Sequence, residues 1–253
     1  MGASYINYLY KQYRFSAMIG PAQIPNWFRG GDSIIDFFSI FILLLISFFS
    51  LKYYRIKKNR NYVLLSISFI LLAVSFLLKV LINIAIYTGL FGYKEILLDI
   101  LHLKALSSSG ILGFLVYLIY HLAAFFGLFA MYLIYQKQSK TSIMLISYLI
   151  FISAFFSNNL DSVFHFTYFI MLVLITSMSV HRYLSKRYPA TRLMVLSLFV
   201  ITLSQLFFVL SELDKSFYIA AQFTQLLGYV VLLIVFIAVL IYGRKEDKDR
   251  YNW

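Results

Sequence analysis

The chain has 253 residues, 62% of them hydrophobic and only 13% charged, with a net charge of +12 and no cysteine. A soluble domain is nearer half apolar and a quarter charged, and the apolar residues here fall in runs too long for a soluble core, so composition places the chain among polytopic helical membrane proteins. The lack of cysteine excludes disulfides, thiolate catalysis and cysteine-held metals; the basic residues flank apolar runs, which points to membrane topology and anionic lipid and away from nucleic acid.

The first 32 residues lack the charged start and short apolar core of a cleaved signal peptide, so the first span is expected to direct insertion itself. The stretch QYRFSAMIGPAQIPNWFRGGD (12–32) is aromatic without strong periodicity, and it is expected to lie on the outer membrane surface with Trp27 and Phe28 at headgroup level. Lys11, Arg14 and Arg29 oppose its export slightly.

Seven apolar runs follow, at 33–51, 62–87, 110–135, 142–157, 162–181, 192–212 and 216–242, each read as a membrane-spanning helix; the fourth is short and should extend at either end. None of the three prolines lies inside a run, so no proline kink is expected. Lys52, Arg55, Lys57, Lys58 and Arg60 lie between spans one and two, and Lys137 and Lys140 between three and four. Arg182, Lys186, Arg187 and Arg192 lie between five and six, and Arg244, Lys245, Lys248 and Arg250 follow span seven. Alternation puts these fifteen of the 22 basic residues on one side, which should be cytoplasmic, with the N-terminus outside. Seven of the ten acids, Asp32, Asp36, Glu95, Asp99, Asp161, Glu212 and Asp214, fall on the opposite side and make the outer mouth acidic.

Between spans two and three, YKEILLDILHLKALSSSG (93–110) sets Glu95, Asp99 and His102 on one helical face and Leu97, Leu98 and Leu101 on the other, the pattern of a short amphipathic helix on the outer interface. The glycine- and serine-rich stretches RGGD (29–32) and SSSG (107–110) match no phosphate loop or nucleophile elbow.

Within the spans a few polar residues stand out. Lys79 lies about 28 Å of helix rise after Arg60, near the outer boundary, where its ammonium should snorkel to the headgroups; the sharper reading pairs it with Asp36, Asp161 or Glu212 to close a cavity mouth. His121 lies roughly 16 Å into span three, near the midplane, and should face the bundle interior, either bonded to a neighbouring helix or serving a ligand or proton. A bis-histidine haem needs a second histidine at that depth, and His165 and His181 lie at the two ends of span five, so no cofactor is expected. Asp161 and His165 share a helical face and would need a third ligand such as His102 to hold a metal; capping of the helix is the simpler role for Asp161. Asn83, Gln205, Gln222 and Gln225 are either interhelical glue, at about 0.6 kcal/mol per hydrogen bond, or part of a pocket with His121 and Lys79. All fall in the middle or outer half, while the inner half is hydrocarbon with serine and threonine, which suggests a cavity opening outward rather than a pore.

An internal repeat is suggested by RNYVLLSISFILLAVSFLL (60–78) beside RLMVLSLFVITLSQLFF (192–208), and by HLAAFFG (121–127) beside QFTQLLG (222–228). Spans two and three would match six and seven in parallel, with span four as linker. This 3+1+3 layout is similar to that of sugar transporters built from PQ-loop repeats, but no Pro-Gln pair begins a span. Seven spans in this orientation also resemble microbial opsins, but residues 216–242 lack the lysine that would hold retinal.

The expected architecture is an all-α, polytopic seven-helix bundle in the cell membrane: residues 1–32 an outer interfacial segment, 33–242 the bundle, 243–253 a short basic cytoplasmic tail. The leading functional expectation is a non-enzymatic protein with an outward-facing small-ligand pocket, transporter-like or receptor-like. The alternative is a structural or accessory subunit of a larger membrane complex, and the third reading is an intramembrane metal-dependent hydrolase. The expected partners are lipid, and a small molecule or another membrane subunit.

Overall fold

A computed structural model describes residues 25–28, 30–87, 111–136, 139–157, 161–186 and 189–251. Among the described residues, a 3₁₀ turn at Asn26–Phe28 is followed by seven α-helices: α1 Gly31–Lys57, α2 Arg60–Tyr87, α3 Ile111–Tyr135, α4 Lys140–Ser157, α5 Asp161–Lys186, α6 Pro189–Leu210 and α7 Ser216–Tyr251. All seven are long and apolar enough to cross a membrane, with mean hydropathy between 1.6 and 2.5 over their best windows. The chain is therefore an all-helical integral membrane protein with seven candidate spans among the described residues. The surface segment foreseen over 12–32 lies mostly outside the described residues, as do the amphipathic helix foreseen over 93–110 and His102 with it.

The helix ends follow from local chemistry. Gly30 adopts φ 90°, a conformation open to glycine at no cost, and its N–H donates to Asp32 Oδ1 at 3.1 Å at the start of α1. α1 outruns its apolar run by a turn and a half and stops where Lys58 turns left-handed, its N–H donating to the Tyr54 carbonyl at 2.7 Å. Asn59 then caps α2, accepting the Asn61 N–H at 3.0 Å. Ser139 caps α4 through the Ser142 N–H at 3.1 Å, and Pro189 opens α6 at the position where its missing N–H costs nothing. Before α7, Asp214 accepts the Ser216 N–H at 2.8 Å, which holds its carboxyl below the ordinary range. α7 continues through residues 243–251, where the sequence suggested only a tail.

Neighbours in the bundle run α1–α2–α3–α5–α6–α7 and back to α1, while α4 leans on α3 and α5 from outside. α4 buries only Ile150, Ala154 and Ser157, one stripe at helical spacing. Tight contacts fasten consecutive helices. Ser47 and Ser66 hydroxyls join α1 to α2 at 2.7 Å, and those of Thr176 and Thr202 join α5 to α6 at 3.0 Å. Gly127 on α3 lies against Leu72 and the Ser68 carbonyl of α2, and Gly228 on α7 lies against Ile201 and the Ser197 carbonyl of α6. In each case a β-carbon would meet those atoms, so glycine lets the helix pair close up. Toward the basic end the core is hydrocarbon, built from side chains such as Leu43, Ile46, Phe69, Leu72, Leu128, Ile175 and Leu198. Phe, Leu and Ile side chains along every helix stay exposed, as a surface bathed in lipid tails requires.

Candidate functional site: a buried polar centre

Toward the acidic end of the bundle the core changes character. On α1, Asp32 and Asp36 are one turn apart, and both are fully buried. On the antiparallel α2, Lys79 and Asn83 are spaced the same way, so the four side chains meet as two rungs. Lys79 Nζ lies 2.9 Å from Asp36 Oδ2, and Asn83 Nδ2 donates to Asp32 Oδ2 at 2.9 Å. Lys79 is only 17% exposed, so its ammonium does not snorkel to the membrane surface. A buried carboxylate close at hand offers it a better partner than the headgroups do. Apart from that ion pair, Asp36 accepts no hydrogen bond among the described residues.

Across the bundle, His165 on α5 sits at the matching level. Its Nδ1 bonds Gln205 Oε1 of α6 at 3.0 Å, and its ring stacks on Phe208 at 4.5 Å and 13°. Lys79 Nζ lies 5.8 Å from the centroid of that same Phe208 ring, within reach of a cation–π interaction. Asp36, Lys79, Phe208 and His165 thus form a continuous line of side chains through the middle of the bundle. On α7, Gln222 donates to Tyr218 at 3.2 Å and Gln225 to Tyr229 at 3.4 Å, each along its own helix.

These groups surround a cavity of about 20 Å³. Its polar wall is Ser75, Lys79, His165, Gln205 and Gln225, with Tyr120 and Tyr168; Phe76, Phe164 and Phe208 complete it. A water-sized cavity needs roughly 10–15 Å³, so there is room for one small polar particle, whereas drug-sized ligands occupy about 300–1,000 Å³.

Of the residues singled out from sequence, Lys79, Gln205 and Gln225 line this cavity together. His121 does not: it is 1% exposed and packed among Tyr117, Tyr120 and Phe164, the last 4.5 Å away, and its Nδ1 has no partner among the described residues. Gln222 is fully buried outside the cavity wall, and its Oε1 also lacks a partner there. Asn83 stays with Asp32, one turn beyond the ion pair. His165, considered from sequence as a metal ligand beside Asp161 and His102, is a cavity residue engaged to Gln205. The Asp161 side chain and His102 lie outside the described residues, and among the described ones no three His, Asp or Glu side chains gather as a metal site.

Sequence reasoning passed over Asp32, Ser75, Tyr120 and Tyr168. The signal for Asp32 was present: acids at i and i+4 on α1 face a lysine and an asparagine at i and i+4 on α2. The tyrosines carried none, since 21 tyrosines are spread along the chain. A second, open cleft of about 330 Å³ lies at the basic end between α3 and α5, where the Arg182 guanidinium stands 4.7 Å over the Tyr135 ring beside His181. No family model matches the chain, no curated protein resembles it in sequence, and no solved structure resembles it in fold.

Proposed function

We propose that the protein binds a small polar ligand at the buried polar centre and carries it across the membrane, as a transporter-like bundle of two three-helix halves. The observation that carries this reading is the cavity: a lysine, a histidine and two glutamines from α2, α5, α6 and α7 converge on one space within the bundle. Ionisable groups at membrane depth are costly and mark ligand or ion pathways by default.

The organisation of the helices supports transport over a fixed receptor. One constant shift in numbering relates Ser47 to Thr176, Ser68 to Ser197, Leu72 to Ile201 and Ser75 to Ser204. The second pair holds matching contacts, each serine presenting its carbonyl to a glycine of the next helix. The same shift relates Asp36 to His165 and Lys79 to Phe208, so the ion pair of one half stands where the aromatic stack of the other stands. α1–α3 and α5–α7 then read as parallel copies, with α4 as linker and the cavity at their seam. In this register the serines at 68 and 197 align, two positions off the match of leucine-serine steps suggested by the sequence.

With the acidic end outside, the centre is reached from the outer face. The absence of native cysteine makes the test clean. Single cysteines at Ser75 and Gln225 should react with silver ion, a thiol reagent of atomic size, added outside intact cells and read as loss of later alkylation in denaturant, whereas a cysteine at Leu172 in the hydrocarbon half should not. Protection of Ser75→Cys and Gln225→Cys from both sides of the membrane would sink the reading. The small size of the cavity favours a second reading, in which the polar centre only locks the helices of an accessory subunit; that reading predicts such protection.

A further inference from the structure

The cleft at the basic end takes no part in the polar centre, and its chemistry differs. At about 330 Å³ it reaches the range of small-molecule sites, about 300–1,000 Å³. The Tyr135 hydroxyl donates to Met194 Sδ of α6 at 3.9 Å, which steadies the ring, and the Arg182 guanidinium stands 4.7 Å over that ring's centroid. A guanidinium carries five N–H donors, more than one ring can engage, so most remain for an anion. Among the described residues no carboxylate pairs with Arg182, and none lines the cleft. The Gln136 carbonyl oxygen already accepts the Tyr132 hydroxyl at 2.9 Å, so what Gln136 has left to offer is its amide N–H₂. His181 adds a ring N–H. Toward the middle of the membrane, α5 keeps Ile170, Val173 and Leu174 exposed, and these share one helical face with Ser177 and His181 of the cleft. A molecule with an anionic head and an apolar tail finds both halves of its chemistry along one side of one helix.

We infer that this cleft binds an anionic phospholipid from the leaflet at the basic end, its phosphate held by Arg182, Gln136 and His181 and one acyl chain lying along Ile170, Val173 and Leu174. The planar fork of Arg182 suits two phosphate oxygens at once. A headgroup that also carries a cation fits poorly, because its ammonium would stand beside Arg182 with no carboxylate on the wall to receive it. A soluble phosphate has the right head but no use for the apolar stripe. With the basic end cytoplasmic, the cleft faces the leaflet richer in anionic lipid, and basic pockets between spans on that side suit such headgroups.

The test uses the full chain purified in a neutral detergent, with its thermal midpoint followed as dioleoyl phosphatidylglycerol is titrated into the micelles. Dioleoyl phosphatidylcholine and chain-free glycerol phosphate serve as comparisons. A saturable rise is expected with phosphatidylglycerol, and a much smaller one with either comparison. Arg182→Gln should raise the half-saturating concentration by about tenfold or more, as loss of a charge-assisted hydrogen bond does, and Gln136→Leu should raise it by less. Both side chains are exposed, so both variants should fold. Arg55→Gln, which removes an exposed arginine of α1 at the same end, should leave the titration unchanged. An equal rise with phosphatidylcholine, or a loss in Arg55→Gln as large as in Arg182→Gln, is general attraction of lipid to the basic end and overturns the inference. An unchanged titration in Arg182→Gln overturns it too. An equal rise with glycerol phosphate at the same concentration gives the cleft to a soluble phosphate and discards the lipid.

Discussion

Lys79 shows how far a single residue can be read. Helix rise places it near one membrane boundary, and depth alone makes snorkelling the natural expectation. Rise says nothing about which way the side chain faces, and here it turns inward onto Asp36. That contact is a buried ion pair, so removing one partner should cost far more than removing both. Asp36→Asn and Lys79→Met are each expected to destabilise the protein by about 3–5 kcal/mol, and the double variant by less than either single one. Unfolding of the four proteins in detergent closes this cycle; additive losses would mean that the two groups do not act as a pair. His121 teaches the complementary lesson. Its depth near the midplane could be counted from the sequence, but its neighbours could not, and they are aromatic rings rather than a ligand cavity.

At the scale of the element, hydropathy made all seven helices legible because lipid demands long, uninterrupted apolar runs. Their ends were less legible, since a helix continues past the hydrocarbon until a cap stops it, as α1 does at Lys58. Helix pairing was legible at two glycines. HLAAFFG and QFTQLLG end in Gly127 and Gly228, and both are closest-approach points to the preceding helix in the bundle order, α2 and α6. A β-carbon on Gly228 would come within 2.5 Å of Ile201 Cγ1, and one on Gly127 within 3.0 Å of Leu72 Cγ. Gly228→Ala should therefore destabilise by about 1–3 kcal/mol and Gly127→Ala by less, because the Leu72 side chain can shift further than the root of Ile201. Thermal unfolding of the two variants decides it; a larger loss in Gly127→Ala would contradict this ranking of the two contacts.

At the scale of the molecule, the sequence distributed charge unevenly, with basic residues at one end and acids at the other, and the bundle keeps that division. Asp32 and Asp36 enter the core from the acidic end, and Arg182 and Tyr135 sit at the basic one. Depth alone grouped Lys79, Gln205 and Gln225 as one candidate pocket, but it could not separate them from His121, Gln222 and Asn83 or add His165. Lys79, His165, Gln205 and Gln225 belong to four helices, and only the closure of α7 onto α1 and of α3 onto α5 brings them round one space. Tertiary proximity between helices far apart in the chain leaves no local pattern to read. That space is a site rather than a packing fault only if something other than protein occupies it. A structure of the full chain determined in lipid at a resolution that shows ordered ions and water addresses it directly. Non-protein density is expected within hydrogen-bonding distance of Lys79 Nζ and Gln205 Nε2. Side chains closed over the space and bonded only to one another would contradict it.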